Sequence, residues 1–419
     1  SPTTPNRHTP PRAAALQAIQ RVLADRQTLD EALEQAFTEI KDPRERAWLT
    51  DVTAGVLRWK GRIDLAIDGL ALKKKPTGWL RRALVLAFYQ LIVQERSSPA
   101  IVVSETVDFV RSKDGDAPSK FANALLRRVA ETAREYRELG FPGEEQASAW
   151  ASLPQWWWNK LKHQRGPEWT KSYAVDALER PEIWVRARSD AREQMAAAGF
   201  TPGPVAGSFS RAEGGAIPSW PLFDEGSWIV QDLSSQRLVA EVAALLKSRG
   251  LERGLDLCSA PGGKAIALSW EGVSVVASDR DSTRLVRLNE NLSRTKASVE
   301  VGPPEEIVGP YDWVWVDAPC SSSGIVRKQP DVKWIRQESE IQNLGRTQNE
   351  LIQKGYSLVK PGGVLIYSVC SVFDDEGPRA IKTAGIEANG AERLKDWDIA
   401  PFETPRGDGF WAGAWAKKA

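Results

Sequence analysis

The sequence predicts a multidomain chain, with an all-α N-terminal part followed by a doubly wound α/β domain. Three observations lead there. The chain has 419 residues, more than one domain usually holds. Apolar residues recur at helical spacing through its first third. From about Asp224 onward, short apolar runs alternate with helical segments, the pattern of a sheet whose parallel strands are joined by helices.

Residues 1–10 are rich in Pro and Thr and lack an apolar core, so they read as a disordered tail and not as a signal peptide. Residues 11–140 form a helical domain. Leu16, Ile19, Val22 and Leu23 share one helical face, as do Leu80, Leu84, Ala87 and Leu91, and then Phe121, Leu125, Leu126 and Val129. The Gly/Pro/Glu stretch Gly140–Gln146 marks a boundary. Residues 147–222 read as a small α+β connecting subdomain, and residues 223–419 as the α/β domain. In the latter, strands are expected at Leu251–Leu257, Val273–Ser278, Val299–Val301, Trp313–Val316 and Val364–Val369, with a late antiparallel strand at Phe410–Ala416. Helices are expected from Lys264, over Leu285–Leu292 and over Asn343–Leu358, the last stopped by Pro361, Gly362 and Gly363.

Composition removes several function classes. The formal net charge is only +1, so nucleic acid must be held by local basic patches. The two histidines, His8 and His163, leave little room for a histidine-based triad or a histidine-rich metal site. Three cysteines without CxxC spacing argue against a zinc site or a disulfide framework. The most apolar stretch, Ala83–Val93, is too short to span a bilayer and contains Gln90. A cytoplasmic monomer is expected, with no metal and no membrane contact. The 18 tryptophans suggest no function by themselves.

Four motifs lie at predicted strand ends, where open α/β sheets bind ligands. The first is Asp256-Leu257-Cys258-Ser259-Ala260-Pro261-Gly262-Gly263-Lys264, between a strand and a helix. Its glycines let the backbone approach a ligand, and the helix start offers free N–H groups. The spacing is not that of a P-loop. The second is Asp279, at the end of the next strand, where a carboxylate can hold a ribose diol or merely cap a helix. The third is Asp317-Ala318-Pro319-Cys320-Ser321-Ser322-Ser323-Gly324. The fourth is Tyr367-Ser368-Val369-Cys370-Ser371.

Taken singly, each thiol could be a buried core cysteine. Their shared placement on one rim points instead to covalent chemistry. Adding a thiolate to carbon 6 of a cytosine makes carbon 5 an enamine-like nucleophile able to accept a methyl group. A carboxyl group at the base edge stabilises the charge that develops, and a second thiol can assist release. This reasoning leaves open whether Cys320 or Cys370 attacks.

The four motifs resemble those of the Sun/RsmB family of ribosomal RNA cytosine-5 methyltransferases. The resemblance extends to Gln231-Asp232-Leu233-Ser234-Ser235, to Arg327–Trp334 and to Gly407-Asp408-Gly409-Phe410-Trp411. Phe121–Arg127 and the surrounding helices are similar to NusB-type RNA-binding domains. The resemblance implies a Rossmann-like, S-adenosylmethionine (SAM)-dependent methyltransferase domain acting on RNA, with small-subunit ribosomal RNA the expected substrate. It implies Cys370 as nucleophile, Cys320 as the release-assisting thiol and Asp317 at the cytosine edge. SAM would be held by Cys258, Ser259, Ala260, Pro261, Gly262, Gly263, Lys264, Asp279 and Asp317, with Lys264 also reaching the reacting centre.

The chain departs from the pattern at three places. A Gly-Asp pair usual after the third strand aligns with Gly302-Pro303, leaving Glu305 or Glu306 as substitutes. Val369 stands where Thr is usual, and Gly377 where Asn is usual after Glu376. Pro303 motivates a second reading, an RNA-binding ribosome-assembly protein with a weakened methyltransferase domain. An amino-group methyltransferase is disfavoured, because such enzymes need no thiol.

Expected RNA contacts are Lys73, Lys74, Lys75, Arg81 and Arg82, the Trp/Lys-rich Gln155–Lys171, and Arg327, Lys328, Lys333 and Arg336. At least two of Trp156, Trp157 and Trp158 are expected to be packing residues.

Overall fold

The computed structural model describes residues 10–94 and 96–419. The expected tail, with His8, lies outside these residues except for Pro10. The chain forms two compact units, Ser1–Arg180 with Val326–Glu338, and Pro181–Ile325 with Ser339–Ala419.

The first unit is helical. Its principal helices run Pro11–Leu23, Leu29–Ala36, Pro43–Leu70, Gly78–Ile92, Pro99–Asp114 and Asp116–Arg137. Proline opens three of them, where its missing N–H costs nothing. Thr28 and Glu31 form a reciprocal capping box at a fourth. Leu16, Ile19, Val22, Leu84, Ala87, Leu125, Leu126 and Val129 are buried in one core, which also takes in Leu178.

Helices Ala147–Ala151, Gln155–Arg165 and Pro167–Asp176 belong to this unit, not to a connecting subdomain. The tryptophans explain why. Trp59 Nε1 donates to the Leu178 carbonyl at 3.1 Å. The Arg62 guanidinium lies over Trp150, 4.8 Å from the ring centre, and its Nε donates to the Trp150 carbonyl at 2.8 Å. Trp157 and Trp158 are wholly buried, the latter stacked on Phe141.

Residues 326–338 complete the unit. Asp331 Oδ2 accepts from the Leu29 N–H at 2.8 Å, and Trp334 Nε1 donates to the Leu57 carbonyl at 2.8 Å. Arg58 Nε donates to the Arg327 carbonyl at 2.8 Å. Lys333, expected among the RNA contacts, is instead fully buried, with Nζ 3.0 Å from the Arg58 carbonyl. Two further expected contacts are engaged internally, Arg327 with Asp176 and Arg81 with Asp64 and Asp68. Lys328 is exposed.

The second unit opens with a small antiparallel sheet of β1 (Trp184–Ala187), β2 (Thr201–Pro202), β3 (Ser208–Ser210) and β4 (Trp228–Val230), in the order β2-β3-β1-β4. Val185, Met195, Phe200, Phe209, Trp220 and Trp228 form its core. Arg294, on the helix Ser282–Thr295, ties it to the α/β part of the unit, donating to the Phe223 and Trp228 carbonyls at 3.0 and 2.9 Å.

The main sheet contains β5 (Arg253–Asp256), β6 (Ser274–Ala277), β7 (Val299–Val301), β8 (Tyr311–Asp317), β9 (Val359–Val369), β10 (Ala391–Ile399) and β11 (Phe410–Lys417), in the order β10-β11-β9-β8-β5-β6-β7. Strands β5 to β9 pair in parallel, and β11 and β10 add antiparallel. Strand alternation serves two layers. Trp313 and Trp315 pack with Leu238 and Ile266, while Val314 and Val316 pack with Leu351 and Ile381. Gly254, opposite Trp313, has no room for a side chain, since a Cβ there would fall 2.0 Å from the indole.

Two expectations about strands change. Pro361, Gly362 and Gly363 lie inside β9 rather than after a helix end. The partners Val359–Tyr311 and Val364–Trp313 advance five residues against two, so Lys360–Gly363 bulges out, with Gly362 at φ +80°. Strand β10 was not expected at all. It is an edge strand with mostly outward, charged residues and little apolar alternation.

Candidate active site

The sheet order reverses between β5 and β8, and the four motifs sit at the carboxyl ends of β5, β6, β8 and β9. After β5, the chain turns through Ser259–Gly262 into the helix Gly263–Trp270. Gly262 takes φ +101°, and a Cβ on it would meet Leu288 at 2.4 Å. Leu257, Cys258, Ser278, Asp279, Pro304, Ile307 and Pro319 are among the residues lining a cavity of about 200 Å³. Of the expected SAM-binding residues, Cys258 and Asp279 line it. Ser259 to Lys264 build the adjoining turn and helix start, and Asp317 stands at the end of β8.

Asp279 is buried and fixed by the backbone. Its Oδ2 accepts from the Ala260 N–H at 3.2 Å and its Oδ1 from the Asp281 N–H at 3.0 Å. Glu305 and Glu306, expected as substitutes for a carboxylate at Pro303, are exposed and are not among the residues lining this cavity. Pro304 and Ile307 form that wall. Gly377 has a steric reason as well, for a Cβ there would lie 2.9 Å from Trp411 Cγ, leaving no space for asparagine. Val369 is buried against apolar neighbours.

Lys264, Asp317, Ser368 and two of the thiols converge at the ends of β8 and β9. Lys264 Nζ donates to Asp317 Oδ2 at 2.8 Å, while Ser368 Oγ donates to Asp317 Oδ1 at 2.7 Å. Ser368 in turn accepts from Trp315 Nε1 at 2.8 Å. Burial would lower the Lys264 ammonium, but the adjacent Asp317 outweighs it and holds the group up at about 12. Lys264 therefore stays charged. Burial, and then the charge of Asp317, push the Asp256 carboxyl up to about 7.

The thiols of Cys320 and Cys370 are 3.4 Å apart and unbonded. Cys320 is buried and Cys370 partly exposed. The contact with Cys370, followed by burial, raises the Cys320 thiol well above its usual value, so Cys320 holds its proton. Burial pushes Cys258 up to about 12.

Sequence reasoning missed the polar groups behind these thiols. Glu376 is fully buried and accepts from the Ser321 N–H at 2.7 Å, Ser321 Oγ at 2.6 Å, Gln348 Nε2 at 3.2 Å and Ser371 Oγ. The signal was present as a serine directly after each cysteine, Ser321 and Ser371. Among the described residues, no cluster of His, Cys, Asp and Glu could hold a metal ion, and no helix is long and apolar enough to cross a membrane.

Residues 243–404 match the family described as 16S rRNA methyltransferase RsmB/F, and residues 9–131 match the NusB family. The ribosomal RNA small subunit methyltransferase B of Cronobacter sakazakii is 30% identical over 97% of this chain and 98% of its own length. Among solved structures, PH0851 superposes with a TM-score of 0.69 at 23% identity, covering 98% of this chain and 99% of its own. A methyltransferase homologue protein from Pyrococcus horikoshii gives a TM-score of 0.53 at 21% identity, over 64% of this chain and 96% of its own. The two structures share the fold.

Proposed function

The chain belongs to the ribosomal RNA small subunit methyltransferase B family, and from that premise we propose that it methylates carbon 5 of a cytosine in small-subunit ribosomal RNA, with SAM as methyl donor. One observation carries the reading. Two thiols 3.4 Å apart stand at the mouths of adjacent strands, one of which ends in the Asp317–Lys264 pair.

The residues present suit SAM. The cavity combines an anchored carboxylate, Asp279, for a ribose diol with apolar walls at Pro304, Ile307 and Pro319 for a base. Bound there, SAM would supply an electrophilic methyl group. Cys370, the more exposed thiol, adds as thiolate to carbon 6 of a cytosine turned out of its stack. Asp317, oriented by Lys264 and Ser368, accepts from the amino group at the base edge, and the Lys264 ammonium beside it offsets the negative charge that thiolate addition puts on the ring. Carbon 5, made nucleophilic, takes the methyl group. After carbon 5 loses its proton, the Cys370–carbon 6 bond breaks, and Cys320, which holds its proton, assists that release.

The test is denaturing electrophoresis of Cys320→Ala and Cys370→Ala variants after incubation with SAM and small-subunit RNA. A covalent protein–RNA band is expected for Cys320→Ala and none for Cys370→Ala. Equal trapping by both overturns the division of roles. One observation favours the weakened-domain alternative, namely that Pro304 and Ile307 occupy the wall where a carboxylate is usual. Calorimetry decides, since absence of SAM binding at millimolar concentration would support that alternative.

A further inference from the structure

The loops carrying the two thiols come from different strands, so something must fix the gap between them. Cys320 follows β8 and Cys370 directly follows β9. Direct pairing of β8 with β9 stops at Asp317–Ser368, before either thiol. Beyond that point the loops meet through one backbone bond, the Gly324 N–H donating to the Cys370 carbonyl at 2.9 Å, and through side chains that fix the residues next to each thiol. The residue after each cysteine, Ser321 and Ser371, donates its hydroxyl to the one carboxylate of Glu376. The Ser321 N–H adds a third bond at 2.7 Å.

Gln348 extends the clamp. Its Nε2 donates to Glu376 Oε1 at 3.2 Å and to the Pro319 carbonyl at 2.9 Å, so it grips the residue before Cys320. Ser323 Oγ lies 3.0 Å from Ser371 Oγ and accepts from the Val372 N–H at 2.9 Å. Glu376 is itself anchored, its carbonyl accepting from Tyr367 Oη at 2.6 Å. A buried carboxylate costs stability unless its lone pairs are occupied, and here donors from both loops occupy them. No basic side chain is among the partners found for Glu376, and none of its bonds reaches the cavity. Its geometry serves the two cysteine loops.

We propose that Glu376 is a positioning residue that sets the spacing between the Cys320 and Cys370 thiols. The inference rests on reading those thiols as attacking and releasing groups, since only then does their spacing govern turnover. Four donors converge on this carboxylate. Glu376→Gln replaces one acceptor oxygen with an NH2 group facing donors, which breaks the clamp at nearly unchanged volume.

The experiment uses the full chain and two readouts. Phenylarsine oxide condenses with two neighbouring thiols, forming two arsenic–sulfur bonds and releasing one water, and therefore reports their spacing without RNA or SAM. Wild type should bind it tightly and Cys370→Ala should not. Glu376→Gln should bind it at least tenfold more weakly while keeping a cooperative thermal transition. In turnover, Glu376→Gln should lose at least tenfold in kcat with the KM for SAM within twofold, and should accumulate the covalent RNA band as Cys320→Ala does.

Unchanged arsenical affinity and kcat in a folded Glu376→Gln variant overturn the proposal, as does wild type that fails to bind the arsenical. If Glu376→Gln does not fold, Ser371→Ala removes a single donor and decides instead. At least threefold weaker arsenical binding supports the proposal, and unchanged binding overturns it. Failure of the catalytic reading looks different, because the arsenical contrast would persist while no variant formed an RNA adduct.

Discussion

Asp317 illustrates how a side chain becomes directional. One oxygen is held by an ammonium and the other by a hydroxyl that is itself held by the Trp315 indole. A carboxylate bound at both oxygens has little rotational freedom, so the charge it presents to a base edge is preorganised. Asp317→Asn keeps the shape but removes the charge facing Lys264. We expect kcat to fall by roughly 10²–10³-fold, the usual scale for losing one preorganised electrostatic group. Methyl incorporation into small-subunit RNA at saturating SAM measures it, and a loss below tenfold would remove Asp317 from the reacting centre. The same scale accounts for two departures from the family pattern. Trp411 leaves no space beyond a glycine at 377, and beside Pro303 the cavity wall is formed by Pro304 and Ile307.

At the scale of elements, residues 326–338 carry the clearest consequence. Burial pushes Lys333 down to about 7, whereas an unfolded lysine titrates near about 10.4. Between those values the unfolded chain binds a proton that the folded chain does not. Stability therefore rises with pH across that window and is lost as pH falls toward 7, by roughly 2 kcal/mol between pH 9 and pH 7. Urea unfolding at the two pH values should show this difference for wild type and a flatter response for Lys333→Met. Equal responses would mean that the amine is solvated.

Elements also show what the sequence could reveal. Helix faces such as Leu16/Ile19/Val22 were legible because burial of one side imposes a period, and the strands ending at Asp317 and Val369 because burial on both faces makes them near-continuous apolar runs. Strand β10 was not, since an edge strand exposes most of its side chains and carries no period. The site was legible where one residue type announces its chemistry, as the three thiols do. It was illegible where function lies in a partnership. Nothing in the order of Ser321, Ser371 and Glu376 says that they meet, and nothing in Arg327–Trp334 says that Lys333 faces inward while Lys328 is exposed. The first depends on Ser321 and Glu376, 55 positions apart, and the second on Arg58 and Lys333, 275 positions apart.

For the whole molecule, the division into units does not follow the order of the chain. The helical unit ends at Arg180 and resumes at Val326. A fragment stopping at Arg180 lacks Asp331 at the Leu29 helix start and Lys333 and Trp334 against the carbonyls of Arg58 and Leu57. Its thermal midpoint should rise by several degrees on adding a synthetic peptide of residues 326–338. A Lys333→Glu version of that peptide should have no effect. An unresponsive fragment would mean that the segment contributes no stability there.

The discontinuity also sets a timetable. A ribosome making this chain delivers the first 180 residues well before the segment that completes their fold. At about 5–20 residues per second, the wait is on the order of ten to thirty seconds. During that time the backbone N–H of Leu29 and the carbonyls of Leu57 and Arg58 lack the partners they have in the finished protein. The nascent helical unit is then a folding intermediate imposed by gene order, and the strands ending at Asp256 and Asp317 must be synthesised before it can close.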